Sequence, residues 1–232
     1  NTSLWLNLTS GGTSKIRVLQ GGTFNITSNS LINSTNNSNR FGFVVDSGSN
    51  FSMTNSRLEG AGWSDEVGQR GLEINTIVNK FEGNILNNNR YGVSLYADNN
   101  TLINNTISNS FIYGVFLGAN NTLLQENQII GGRFSGLYCG GGNNNTLINN
   151  FVNDSGFSDF FGSGFYMDSC VGNTLINNRL LNNKYGISFD GISNDNFLID
   201  SLISNSASFD VYSNADPFYG SNTFLNTTFD KS

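Results

Sequence analysis

The chain has 232 residues, a net charge of −6 and no histidine. The acidic balance excludes nucleic acid and anionic membranes as partners. The missing imidazole excludes a Ser-His-Asp triad, a Cys-His pair and any His-ligated metal centre. Forty-one residues are Asn and 27 are Gly, which disfavours long helices, while 19 Phe and 8 Tyr argue against disorder. No apolar run of about 18 residues occurs, so no direct membrane insertion is expected. The chain opens at Asn1 without Met or a signal peptide, which suggests a mature protein or an excised piece of a longer one.

Along the chain, residues 1–22 read as an irregular first coil or N-terminal cap, and 23–229 as repeat coils of one domain spanning 1–232. One marker is a Gly followed by alternating apolar residues, at Gly42, Gly71, Gly92, Gly114, Gly136, Gly164 and Gly186. The intervals are 29, 21, 22, 22, 28 and 22, so the base period is about 22. A second marker is an apolar residue, then Asn three later, then an apolar residue two after that. It runs Ile26/Asn29/Leu31, Phe81/Asn84/Leu86, Leu102/Asn105/Ile107, Leu124/Asn127/Ile129, Leu147/Asn150/Val152 and Leu175/Asn178/Leu180. Weaker copies are Met53/Ser56/Leu58, Leu198/Ser201/Ile203 and Phe224/Thr227/Phe229. Alternation at period two means half-buried strands, three per unit. After each Gly, the first and third residues point inward, from Phe43 and Val45 to Ile187 and Phe189. Such a unit cannot bury its apolar face alone, but a stack of units can. The pattern predicts an all-β, single-stranded, right-handed parallel β-helix solenoid of about nine coils, each rising about 4.8 Å, with longer turns on some coils.

The motif Asn-Asn-Thr-Leu-Ile-Asn-Asn, at Asn99 and again at Asn144, with variants at Asn120 and Gly172, resembles the parallel β-helix repeat family of the pectin-lyase-like superfamily. Within it, the chain is most similar to Asn-rich NosD-like and archaeal cell-surface β-helix proteins. The likeness covers roughly residues 16–229. It implies the fold but leaves function open, because that superfamily includes lyases, hydrolases, epimerases, adhesins and stalks. The superfamily's polygalacturonase motifs (Asn-Thr-Asp, Asp-Asp, Gly-His-Gly and Arg-Ile-Lys) are absent, and no Lys or Arg falls beside the Asp cluster described next.

Two Asn populations are expected. Asn29, Asn84, Asn105, Asn127, Asn150 and Asn178 form a structural ladder, adopting the left-handed conformation at bends and bonding coil to coil. Asn7, Asn25, Asn33, Asn50, Asn99, Asn120, Asn144, Asn153 and Asn226 are N-glycosylation sequons. Of these, Asn99, Asn120 and Asn144 read as one solvent-facing column. On the outward positions, Tyr96, Phe116, Tyr138 and Tyr166 make an aromatic stripe suited to sugar faces, with Trp63 in the long turn from Gly60 to Arg70 as a further ligand-binding candidate. Asp168 and Asp190 share one column on adjacent coils, and Asp210 is placed one coil further. Two such carboxyls suit glycoside hydrolysis. Asp168 and Asp190 can also take Ca²⁺, although no cofactor is required. The turn at 154–162, with Asp154, Phe157, Asp159, Phe160 and Phe161, would wall this face, and an insertion from Ser213 to Ser221 carries the single Pro217. Cys139 falls in an inward column, and the three-residue offset of Cys170 in the next coil argues against a disulfide.

Together these point to an extracellular or cell-surface β-helix module for structure, display or adhesion. The alternatives are a carboxylate-based hydrolase and a non-catalytic carbohydrate-binding module. Partners are glycans or neighbouring copies, the latter by end-to-end or lateral assembly.

Overall fold

The structure is a computed structural model that describes residues 3–6, 14–27, 29–34, 39–157, 162–214 and 221–230. Asn7, Asp159, Phe160, Phe161 and Pro217 lie outside the described residues. Among the described residues there is no helix, and the strands form three parallel sheets of ten, nine and nine strands. One coil shows the plan. Thr101–Ile103 lies in sheet C, Thr106–Ser108 in sheet A and Tyr113–Leu117 in sheet B. Each pairs in parallel with its counterpart one coil on: Leu102 with Leu124, Ile107 with Ile129, and Val115 with Leu137. The chain is therefore a parallel β-helix.

The inward columns make one continuous core. Leu102, Ile107, Val115 and Leu117 of this coil are all at most 1% exposed. An isolated coil would leave them in water; stacking buries them, at about 1.5–3 kcal/mol per large side chain. The marker glycines sit where the sheet B strand passes close to its neighbours. A Cβ on Gly114 would stand 2.4 Å from Ile129 Cγ2 and 2.5 Å from the Gly136 carbonyl oxygen, which only Gly avoids.

Each corner uses a residue pair, which corrects the single-residue reading of the Asn ladder. The left-handed residue comes first: Asn55, Asn104, Glu126, Asn149 and Asn177 have φ between 47° and 57°. The ladder Asn follows it and is buried, and it has no positive φ. Asn127 Nδ2 donates to the Leu102 carbonyl at 3.0 Å, while Asn127 Oδ1 accepts the Asn105 backbone N–H at 3.0 Å. The same contacts run through Asn84, Asn105, Asn150 and Asn178 and end on Ser201 Oγ. The bend breaks the strand ladder for one peptide group, and the amide of the next coil satisfies it. Asn29 is thus misplaced as a ladder member. It is itself left-handed (φ 60°), with its N–H bonded to the Asn55 carbonyl. The turn after Ile26 is one residue longer than that after Met53, so Ile32 pairs with Leu58 and points inward in place of Leu31.

A second ladder, missed in the sequence, lies at the corner between sheets B and C. Asn100, Thr122, Asn145, Asn173, Asn196 and Asn222 occupy it, and the Asn145 and Asn173 N–H groups donate to the side-chain oxygens of Asn173 and Asn196 at 2.8 and 3.0 Å. In Asn-Asn-Thr the first Asn is left-handed and exposed, and the second is buried; Asn99 and Asn100 show the pair. Asn120 leaves the column assigned to it. Its coil bends at Asn121 (φ 53°), so Asn120 sits one position before Asn99 and Asn144 and accepts the Asn143 N–H at 2.8 Å.

Cys139 and Cys170 form a disulfide with Cα atoms 6.4 Å apart, which corrects the expectation from their offset. Cys139 faces Met167 across sheet B. Beyond the strand end at Asp168, the left-handed Ser169 (φ 55°) turns the chain back, so Cys170 re-enters the core beside Cys139. A left-handed bend cancels an offset that an extended strand would keep.

Candidate functional site

The outer face of sheet B gathers the aromatic and carboxylate candidates. Phe116, Tyr138 and Tyr166 are direct neighbours across three strands. Tyr96 lies one row over, yet its ring meets Phe116. Successive ring centroids from Tyr96 through Phe116 and Tyr138 to Tyr166 are 5.4, 5.5 and 5.3 Å apart. Two residues not singled out in the sequence join the row: Tyr113 stacks on Tyr138 at 4.7 Å, and Tyr91 meets Tyr113 at 5.2 Å. They precede the marker Gly by one position, where the alternation count had not begun. Tyr91 is buried, whereas Tyr96, Tyr113, Phe116, Tyr138 and Tyr166 are half-buried. Trp63 stands apart. A Cβ on Gly42 would lie 3.3 Å from its Cη2, and no ring contact ties it to the stripe among the described residues.

Asp168 and Asp190 are partners on adjacent strands and half-buried. Each is tethered to the stripe. The Tyr138 hydroxyl donates to Asp168 Oδ2 at 2.7 Å, and the Tyr166 hydroxyl to Asp190 Oδ2 at 2.9 Å. The remaining oxygens also accept: Asp168 Oδ1 from Ser169 Oγ at 3.2 Å, and Asp190 Oδ1 from the Gly191 N–H at 2.8 Å and Asn214 Nδ2 at 3.3 Å. Burial, then the bonded carboxylate, pushes the Tyr138 and Tyr166 phenols well above their ordinary pKa. Asp210 does not extend the pair. It is fully buried, Phe209 and Val211 on either side of it pair with Tyr185 and Ile187, and its Oδ2 accepts the Asp230 N–H at 2.7 Å. The position one coil beyond Asp190 belongs to Asn214.

The other end of the stripe carries a cation that the sequence reading left unassigned. The Arg70 guanidinium sits 5.5–5.9 Å from the ring centroids of Phe116, Tyr91 and Tyr96 and donates to the Tyr96 hydroxyl. Below it, the fully buried Glu73 accepts the Gly68 and Arg70 backbone N–H groups at 2.8 Å each.

A family model described as "Periplasmic copper-binding protein (NosD)" matches residues 7–197 and 75–230. No curated protein matches the sequence. Among solved structures, the periplasmic alginate epimerase AlgG is similar with a TM-score of 0.63 and 12% identity, covering 94% of this chain and 73% of its own. The enzymatically active domain of tailspike protein 2 of bacteriophage CBA120 gives 0.67 and 8%, covering 98% of this chain and 39% of its own. An alginate lyase from Paenibacillus sp. gives 0.53 and 14%, covering 94% and 76%. At these identities the likeness is one of fold.

The residues do not fit a copper ion. Copper sites draw on imidazole, thiolate or thioether donors. Here there is no His, both Cys are joined to each other, and Met53 and Met167 lie in the core at 0% and 1% exposure. Nor do Asp168 and Asp190 build a Ca²⁺ cage, which takes six to eight oxygens. Among the described residues no group of three His, Cys, Asp or Glu converges. Among the described residues no helix is long and apolar enough to cross a membrane. The disulfide, with a family described as periplasmic, points to a protein working outside the cytoplasm. Matched over nearly its whole length, and built as three stacked parallel sheets, the chain belongs to the NosD family of parallel β-helix repeat proteins.

Proposed function

We propose that the chain is a non-catalytic carbohydrate-binding module, displayed at a cell surface or in an extracellular assembly, with a glycan lying along the outer face of sheet B. The observation that carries this is the ring row ending on two tyrosine-tethered carboxylates. Aromatic rings offer apolar surface to the C–H faces of sugars. Carboxylates at the row's end can accept sugar hydroxyls. The coil height, about 4.8 Å, is close to the length of one hexopyranose in an extended, equatorially linked chain, so successive sugars would meet successive rings. Fold neighbours named for alginate epimerisation and alginate lysis lend this support.

Binding is favoured over turnover by how the carboxylates are held. A retaining hydrolase needs one carboxyl free to attack and the other free to deliver a proton, whereas hydrogen bonds here tie both carboxylates back to the ring row and the adjoining turns, with lone pairs left for sugar hydroxyls. The test is a polysaccharide panel with affinity electrophoresis and a reducing-end assay in parallel. Retardation without new reducing ends, weakened at least tenfold in Tyr138→Ala, is expected. Reducing ends that vanish in Asp168→Asn would establish the hydrolase reading instead.

A further inference from the structure

The sheet B face is electrically asymmetric. Asp168 and Asp190 stand at one end of the ring row and Arg70 at the other. About three coil heights, roughly 14 Å, separate Tyr96 from Asp168.

Arg70 differs from the other arginines of this region. Arg17 pairs with Asp46, Arg57 with Glu59 and Arg90 with Asp65. Arg40 is spent on the Asn88 carbonyl and on its side chain. Arg70 makes no ion pair among the described residues. The two carboxylates nearby are engaged elsewhere: Glu73 by two backbone amides, and Asp65 by Arg90 through bonds of 3.0 and 2.7 Å. Of the five guanidinium N–H donors, the structure uses one on the Asp65 carbonyl at 2.8 Å and one on the Tyr96 hydroxyl. The guanidinium is nevertheless well placed. Glu73 pins the loop that carries it, and three rings flank it. A half-buried cation, fixed in position with donors to spare, is built to meet an oxyanion.

We propose that the glycan is bound in one direction, with a terminal anionic sugar such as a uronate on Arg70 and neutral sugars following over Phe116 and Tyr138 toward Asp168 and Asp190. This rests on the carbohydrate-binding reading and narrows its ligand. A uniform polyanion does not fit, because its far units would meet Asp168 and Asp190, and the chain's net charge is −6. One anionic cap on a neutral oligosaccharide of about three or four units satisfies both ends.

The test uses arrayed neutral oligosaccharides of several linkages, each beside its uronic-acid-capped counterpart and the methyl ester of that cap. The wild-type protein should bind the acid-capped member about tenfold tighter than either uncharged form. That ratio should fall to about one in Arg70→Gln and recover in part in Arg70→Lys. The ester comparison needs no variant, so it decides the matter even if Arg70→Gln misfolds. Equal binding of acid, ester and neutral forms, or a preference surviving in a folded Arg70→Gln, would overturn directional binding and leave the carbohydrate reading standing. Binding to none of them would overturn both.

Discussion

Truncating one rung of the buried Asn ladder should cost far more than changing the exposed residue beside it. Asn127 is 2% exposed and takes part in four side-chain hydrogen bonds. In Asn127→Ala, Asn150 Oδ1 keeps the Asn127 backbone N–H at 3.0 Å, and Asn105 Nδ2 keeps the Phe81 carbonyl at 3.3 Å. The Asn105 backbone N–H loses its partner, and the Leu102 carbonyl loses a donor. An orphaned buried donor costs about 1–3 kcal/mol and each further lost bond about 0.5–1.5, so about 3 kcal/mol is expected. Glu126, next to it, is exposed and held at φ 57°. Asn tolerates that conformation better than Glu, so Glu126→Asn should stabilise by up to about 1 kcal/mol. Urea unfolding followed by far-UV circular dichroism measures both. A loss below about 1 kcal/mol in Asn127→Ala, or destabilisation by Glu126→Asn, would refute the division of labour at the corners.

Removing the disulfide as Cys139→Ala with Cys170→Ala should cost about 3.7 kcal/mol, the chain-entropy value for a separation of 31 residues. Calorimetry with and without reductant checks it, and an unchanged midpoint would contradict it. Tyr138 and Tyr166 have phenol pKa values raised by burial and by Asp168 and Asp190. Because the folded pKa is the higher one, their contribution is intact below the ordinary phenol value of about 10 and is lost as pH climbs above it toward the folded values. Phenolate absorbance should therefore lag in the native chain, and Tyr138→Phe with Tyr166→Phe should flatten the alkaline fall in stability. In a glycosylating host, mass spectrometry should find sugar on the exposed Asn50, Asn99, Asn144 and Asn226. It should find none on Asn33, which is 9% exposed and donates to Glu59 at 3.1 Å. Glycan on Asn105 or Asn127 would contradict the burial of the ladder.

The solenoid was legible because its constraints repeat. A period near 22 and a Gly before alternating apolar residues can be read from one chain, and every inward residue from Phe43 to Phe189 in the two sheet B columns is buried. What escaped was decided by single residues at bends. A left-handed Ser169 brings Cys170 back to Cys139, and an extra residue after Ile26 moves Asn29 off the ladder. Period counting averages over such steps. Asp210 failed for a related reason. Counting outward positions assumes every sheet B strand runs in one register, and Asp210 sits four residues short of the place that Asn214 takes beside Asp190. The Arg70 cluster left no periodic trace, since the loop from Gly60 to Arg70 occurs once.

The two carboxylates show how a solenoid's own stacking shapes chemistry that composition leaves open. With no His in the chain, proton transfer at this site would fall to carboxyl groups or to the tyrosine hydroxyls beside them. Stacking Asp168 against Asp190 sets like charges on adjacent strands, a conflict that a shared proton, a bound cation or nearby donors can relieve. Catalysis follows naturally from the first and a metal site from the second. The structure supplies the third. Two successive coils each send a tyrosine hydroxyl forward to the carboxylate of the next, at 2.7 and 2.9 Å, so the stripe and the acid pair are one construction. The same bonds that make the pair tolerable tether both carboxylates to the ring row while leaving lone pairs open on their oxygens. They also hold the carboxylates at fixed height beside the rings, where a sugar hydroxyl can reach them.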